Sequence, residues 1–118
     1  MLWRKRQRFL DENFAQFYIE AQALLHENIT PDDLPNWARR EGEFAHRATS
    51  WIQDNMGSAA MMKFQDMNGP SYDFASFSVT PQHTGALNWL NKVSINLQAL
   101  MHNPTWDAHA PKMPALRG

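Results

Sequence analysis

The stretch WRKRQRFLDENFAQFYIEAQALL, residues 3–25, decides the fold. Trp3, Leu10, Phe14, Phe17, Ala21 and Leu24 succeed one another at steps of seven, four, three, four and three. At 3.6 residues per turn that spacing lays them along one face of a helix. Arg8, Glu12, Gln16 and Glu20 line another side, as a solvated face should. Ile19, with Ala15 and Ala23 near it, lies roughly opposite the apolar stripe. That placement implies either burial on two sides or contact with another chain. Asn28 and then Thr30-Pro31 stop the helix, because proline disfavours a helical residue before it. The expected helix runs from residue 2 or 3 to Glu27 or Asn28.

Working outward, Pro31-Asp32-Asp33-Leu34-Pro35 reads as a short connection, with Asp33 or Asn36 able to cap the next helix. That helix, about 36–56, carries Trp37, Phe44, Ala48 and Trp51 on one stripe, with Ala45 and Ile52 alongside. Gly42 sits on its polar side, at a cost of about 1 kcal/mol relative to alanine. Gly57 stands where a helix C′ residue belongs, and Ser58 is placed to cap a third, shorter helix at about 58–67. Residues 69–80 break regularity: Tyr72 and Phe74 share one parity, Phe77 and Val79 the other, so a clean strand is excluded. A packed loop with its aromatics tucked onto the bundle is the expectation. Thr80-Pro81 is an N-cap followed by proline at the first helical position. The helix it opens, about 81–103, sets Leu87, Leu90, Val93, Leu97, Leu100 and Met101 on one face, with Ser94 among them.

These elements predict an all-α fold: a small bundle of three longer helices and one short one, with an irregular aromatic loop at about 69–80. One helical domain, 1–103, is followed by a proline-containing extended tail, 104–118. At 118 residues and 43% hydrophobic content, the chain has enough apolar side chains for a core without staples. The absence of cysteine excludes disulfides, thiolate catalysis and cysteine-ligated zinc. With no apolar run of signal-peptide or membrane-spanning length, the expectation is a cytoplasmic protein that does not engage a membrane.

The net charge of −1 is unevenly spread. Arg4, Lys5, Arg6 and Arg8 make the first ten residues basic, whereas 11–68 hold ten acids against Arg39, Arg40, Arg47 and Lys63. The basic cluster, beside Trp3 and Phe9, is a candidate nucleic-acid contact. No second basic cluster extends it, however, and the acidic body would repel a phosphate backbone. A solubilising helix end is the preferred reading, and nucleic acid is not the expected partner. His26, His46, His83, His102 and His109 contain no i,i+3 or i,i+4 pair, and Asp107-Ala108-His109 is the nearest approach to a metal pair. No metal and no cofactor are expected. Asp32-Asp33 reads as turn and capping chemistry, because adjacent side chains do not converge.

Arg40-Glu41-Gly42-Glu43-Phe44-Ala45-His46 resembles the arginine–histidine catalytic signature of HEPN ribonucleases, helical bundles that usually dimerise. The resemblance implies that Arg40 stabilises charge on a scissile phosphate and that His46 moves a proton. On a straight helix, however, the two residues stand about 120° apart. The match also lies in the second helix, where the family carries it late in the bundle. The plainer reading is a solvated face of Arg39, Glu43, His46 and Ser50.

Trp37, Trp51 and Trp89 lie on or beside stripes and read as core, whereas Trp3 and Trp106 lie near the chain ends. Met56, Met61, Met62 and Met67 form a soft patch around the short helix, suited to core filling or to an adaptable surface. Together these features point first to a non-enzymatic protein–protein interaction module, regulatory or accessory, binding itself as a homodimer or a larger partner. Trp3, Phe9, Ile19 and Trp106 are the candidate contact residues. The alternatives are an RNA-cleaving enzyme using Arg40 and His46, and a small nucleic-acid accessory protein using the basic N-terminus.

Overall fold

In a computed structural model the described residues are 2–69, 74 and 76–101, with side chains from Lys5 onward. Among them the fold is all-α: α1 (Leu2–His26), α2 (Leu34–Met56), α3 (Ser58–Phe64) and α4 (Pro81–Leu100). The core is the predicted stripes brought together. Leu10, Phe14, Phe17, Ala21 and Leu24 from α1 meet Trp37, Phe44, Ala48 and Ile52 from α2 and Leu87, Leu90, Val93, Leu97 and Leu100 from α4. α1 packs most extensively on α4, and α3 bridges α2 and α4.

Aromatic rings knit the layers. Trp51 receives Phe9, Phe14 and Phe17 at centroid distances of 5.7, 5.5 and 5.6 Å. Phe17 continues to Phe44, and Trp89 takes Phe44 and Phe64 edge-on at 6.2 Å each. Edge-to-face pairs each contribute about 0.5–1.5 kcal/mol beyond the area they bury. They also fix direction. Trp51 near the end of α2 lies on the first half of α1, and Trp37 near the start of α2 lies at its end, so α1 and α2 are antiparallel.

The α1–α2 corner is tied by four contacts. The Trp37 indole N–H donates to the Leu24 carbonyl at 3.1 Å, satisfying one of the acceptors a helix leaves open at its C-terminus. Pro31–Asp33 form one 3-10 turn, in which the Thr30 N–H and hydroxyl both donate to the Asp33 carboxylate at 3.0 Å. Arg40 donates to both oxygens of Glu27 at 2.8 and 2.7 Å, and Arg47 bridges to Glu20 at 2.8 Å.

The helix ends differ in places from the sequence reading, for local reasons. α2 begins at Leu34, two residues early, because the 3-10 turn runs straight into it; neither Asp33 nor Asn36 caps it. Gly57 closes α2 at φ 87°, its N–H donating to Ile52 and Gln53, and serves as the N-cap of α3 as well, so Ser58 is already helical. Gly57 therefore does the work expected of two residues. α3 stops at Phe64, three residues short of the expected 67, because side chains from α4 capture the carbonyls that follow. α4 stops at Leu100 with Met101 extended, not at 103. The described parts of the 69–80 loop contain no helix or strand, but only Phe74 packs on the core; Phe77 is 76% exposed, so the loop's aromatics are not all tucked in. Tyr72 and the 104–118 tail lie outside the described residues.

Candidate functional site

Two regions gather features that packing alone leaves unexplained. The first is the outer face of α1. Its inner stripe is fully used by the core, and Ile19 on the far side is 59% exposed. Among the described residues nothing covers this side, so α1 is buried there on one face only. Ala23 is exposed and Ala15 half-buried, so Ala15, Ile19 and Ala23 make a ridge of three residues at four-residue spacing. Lys5, Arg8 and Glu12 are exposed toward one end of this face, and Asp32 and Asp33 are exposed in the turn that follows α1.

The second region is a cavity of about 200 Å³ where the end of α1 meets the start of α4. Leu25, Leu87, Phe74 and Phe77 supply its apolar walls, and His83 a polar one. His26, Glu27 and Asn28, at the end of α1, complete the lining. His83 is held by the cap of α4. Thr80 accepts the His83 N–H at 3.0 Å, and the His83 ring reaches back so that its Nδ1 accepts the Val79 N–H at 3.1 Å. The ring thus reaches one residue beyond the N-cap, to the N–H that precedes Thr80. Trp37 packs edge-on against the same ring at 4.7 Å. His83 is 2% exposed, and burial lowers its pKa below the usual histidine value. Since Nδ1 accepts, the neutral ring carries its proton on Nε2, and that buried atom has no hydrogen-bond partner.

The remaining candidate residues are dispersed. Arg40 is committed to Glu27, whose carboxyl is held below the ordinary glutamate range mainly by that hydrogen bond; the same contact raises the guanidinium. Arg40 faces a furrow shared with Glu20 and Arg47, while His46 is exposed in a different, shallow depression beside Arg39 and Gly42. Glu43 borders both. Arg39 pairs with Glu43 at 3.0 Å, as the solvated-face reading expects. Phe9 is half-buried with its ring on Trp51. The side chains of Trp3 and Arg4, and the whole of Trp106, His102 and Asp107-Ala108-His109, lie outside the described residues. Among the described residues no three histidine or acidic side chains converge as a metal site, and no helix is long and apolar enough to cross a membrane. Met56 fills core and Met61 packs at its margin, while Met62 and Met67 are exposed.

Sequence reasoning missed Lys92, Asn96 and His83, all buried. Lys92 and Asn96 lie at the margin of the apolar face of α4, and only the chain's path brings the carbonyls that they bind. Comparison with known family models, curated proteins and solved structures finds no match to this chain.

Proposed function

We propose that this protein is a non-enzymatic helical interaction module, regulatory or accessory in role, which binds protein through the outer face of α1 and pairs there with a second copy of itself. The observation that carries the proposal is Ile19, 59% exposed in the second half of a helix whose other face is already spent on the core. Single exposed apolar residues are common on soluble proteins, so the surroundings matter. Flanking Ala15 and Ala23 at four-residue spacing form a ridge of the kind that interdigitates with its own copy at a crossing angle near −50°. Lys5 and Arg8 at one end and Asp32 and Asp33 at the other make the face self-complementary in an antiparallel, two-fold arrangement. The basic cluster then has an acidic partner and needs no nucleic acid. The ribonuclease alternative lacks comparable support, since Arg40 is engaged by Glu27.

Light scattering on the purified chain tests this. The expected mass is twice 13.7 kDa, returning to 13.7 kDa in Ile19→Glu with the helical circular dichroism unchanged. High salt should weaken the pair by screening its charged ends. A wild type that stays monomeric at about 1 mM, far above any useful affinity, defeats self-pairing.

A further inference from the structure

We propose that Asn68-Gly69 is a site of spontaneous covalent modification, at which the Asn68 amide is lost as ammonia and Lys92 speeds and directs the change. Of the nine asparagines in the chain, Asn68 alone precedes a glycine. Both residues are exposed and follow the end of α3, outside any helix. Gly69 adopts φ 105°, a conformation that glycine takes readily, and it has no side chain to shield its nitrogen. Among the described residues that N–H has no hydrogen-bond acceptor.

Lys92 sets this pair apart from any other exposed Asn-Gly. It is 8% exposed, and its Nζ donates to the Asn68 carbonyl at 2.6 Å. A Cβ placed on Gly69 would stand 3.2 Å from the same nitrogen, so the ammonium lies against both residues. Among the described residues no carboxylate pairs with it. Asp66 instead accepts the Asn68 N–H at 2.9 Å.

The reaction needs only hydroxide and water. The Gly69 nitrogen gives its proton to hydroxide and attacks Asn68 Cγ. The N–Cγ bond forms, the Cγ–Nδ2 bond breaks, and ammonia leaves with a proton from water. Water then opens the resulting cyclic imide at either carbonyl, and nothing is oxidised or reduced. Opening at the former side-chain carbonyl gives aspartate. Opening at the former backbone carbonyl gives isoaspartate, with the main chain rerouted through Cγ. A neighbouring cation favours an anion, so the ammonium promotes loss of the Gly69 proton. It also polarises the backbone carbonyl that it already holds, which directs water there. In isoaspartate that same oxygen belongs to a carboxylate, and the buried ammonium gains a counter-ion.

The competing explanation is that Lys92 only fastens the chain as it leaves α3. Incubating the folded protein at mildly alkaline pH, with peptide mapping by mass spectrometry, separates the two. Asn68 should convert ahead of every other asparagine. Each conversion makes the net charge of −1 one unit more negative, which ion exchange resolves. Lys92→Met keeps an unbranched apolar stem without the charge; it should convert about tenfold more slowly, with a smaller share of isoaspartate. Unfolding the wild type in guanidinium chloride takes Lys92 away from the site and should lower the isoaspartate share in the same way. If the variant does not fold, the product shares of folded and unfolded wild type carry the test. Equal shares in those two states, or an Asn68 that outlasts the other asparagines, overturn the proposal.

Discussion

Replacing Asn96 with alanine should cost about 1.5–4 kcal/mol, although nothing in its local sequence marks it as important. Asn96 is 3% exposed, and its amide donates twice, to the Phe64 carbonyl at 3.0 Å and to the Asp66 carbonyl at 2.8 Å. Phe64 is the last residue of α3, so its carbonyl is one that the helix cannot satisfy itself. The variant strands that carbonyl in the interior, at roughly 1–3 kcal/mol, while the more accessible Asp66 carbonyl adds about 0.5–1. For a domain near 100 residues, the total lowers Tm by about 10–25 °C. Urea unfolding supplies the measurement. The loss should appear as a lower midpoint with unchanged slope, and exposed Gln98→Ala should stay within about 0.5 kcal/mol of wild type. Asn96→Asp should be worse at neutral pH, because it turns an acceptor toward two acceptors. Hydrogen exchange should quicken first in α3, the element that loses its tether. A loss below about 0.5 kcal/mol for Asn96→Ala, with α3 protection intact, refutes the assignment of these bonds as the stop of α3.

Gly42→Ala and Gly85→Ala should each stabilise by about 0.5–1 kcal/mol, since both lie within helices and a Cβ at either meets nothing within 4 Å. Calorimetry of the two variants checks this, and a fall in Tm for either contradicts the open space. Stability should also fall below about pH 6.5. Burial lowers the His83 pKa in the folded state, so the unfolded chain takes up a proton that the native chain resists, and the contribution held above that pH is lost on acidification. Urea midpoints compared between about pH 7.5 and 5 should show the decline, and His83→Phe should flatten it.

The helices were legible because their signals are local. Stripes on α1, α2 and α4 repeat over several turns, and every stripe residue with a described side chain, except half-buried Trp51 and Met101, is buried in the fold. Thr80-Pro81 could be read because capping depends on neighbours in sequence, and the Thr80 side chain accepts from the His83 N–H as that motif requires. What stayed hidden depends on where the chain returns. Asn96 meets carbonyls about thirty residues earlier, and Lys92 donates to the Asn68 carbonyl at 2.6 Å, so a polar residue on α4 reads as surface until α3 is placed beside it. His83 was hidden in another way. It occupies the third position of α4, where a histidine looks exposed, and only the return of α1 and Trp37 buries it.

Those two kinds of hidden residue have different consequences. Lys92 and Asn96 find their partners inside the chain, and their burial is explained once the fold is known. Ile19 and His83 are left over after the fold is known, one an apolar side chain without a wall, the other a donor without an acceptor. A sequence selected for folding alone would gain stability by replacing Ile19 with a charged helix former and Nε2 with carbon. On the proposed pairing, Ile19→Glu should return the mass in solution to 13.7 kDa, and His83→Phe should leave the paired mass unchanged.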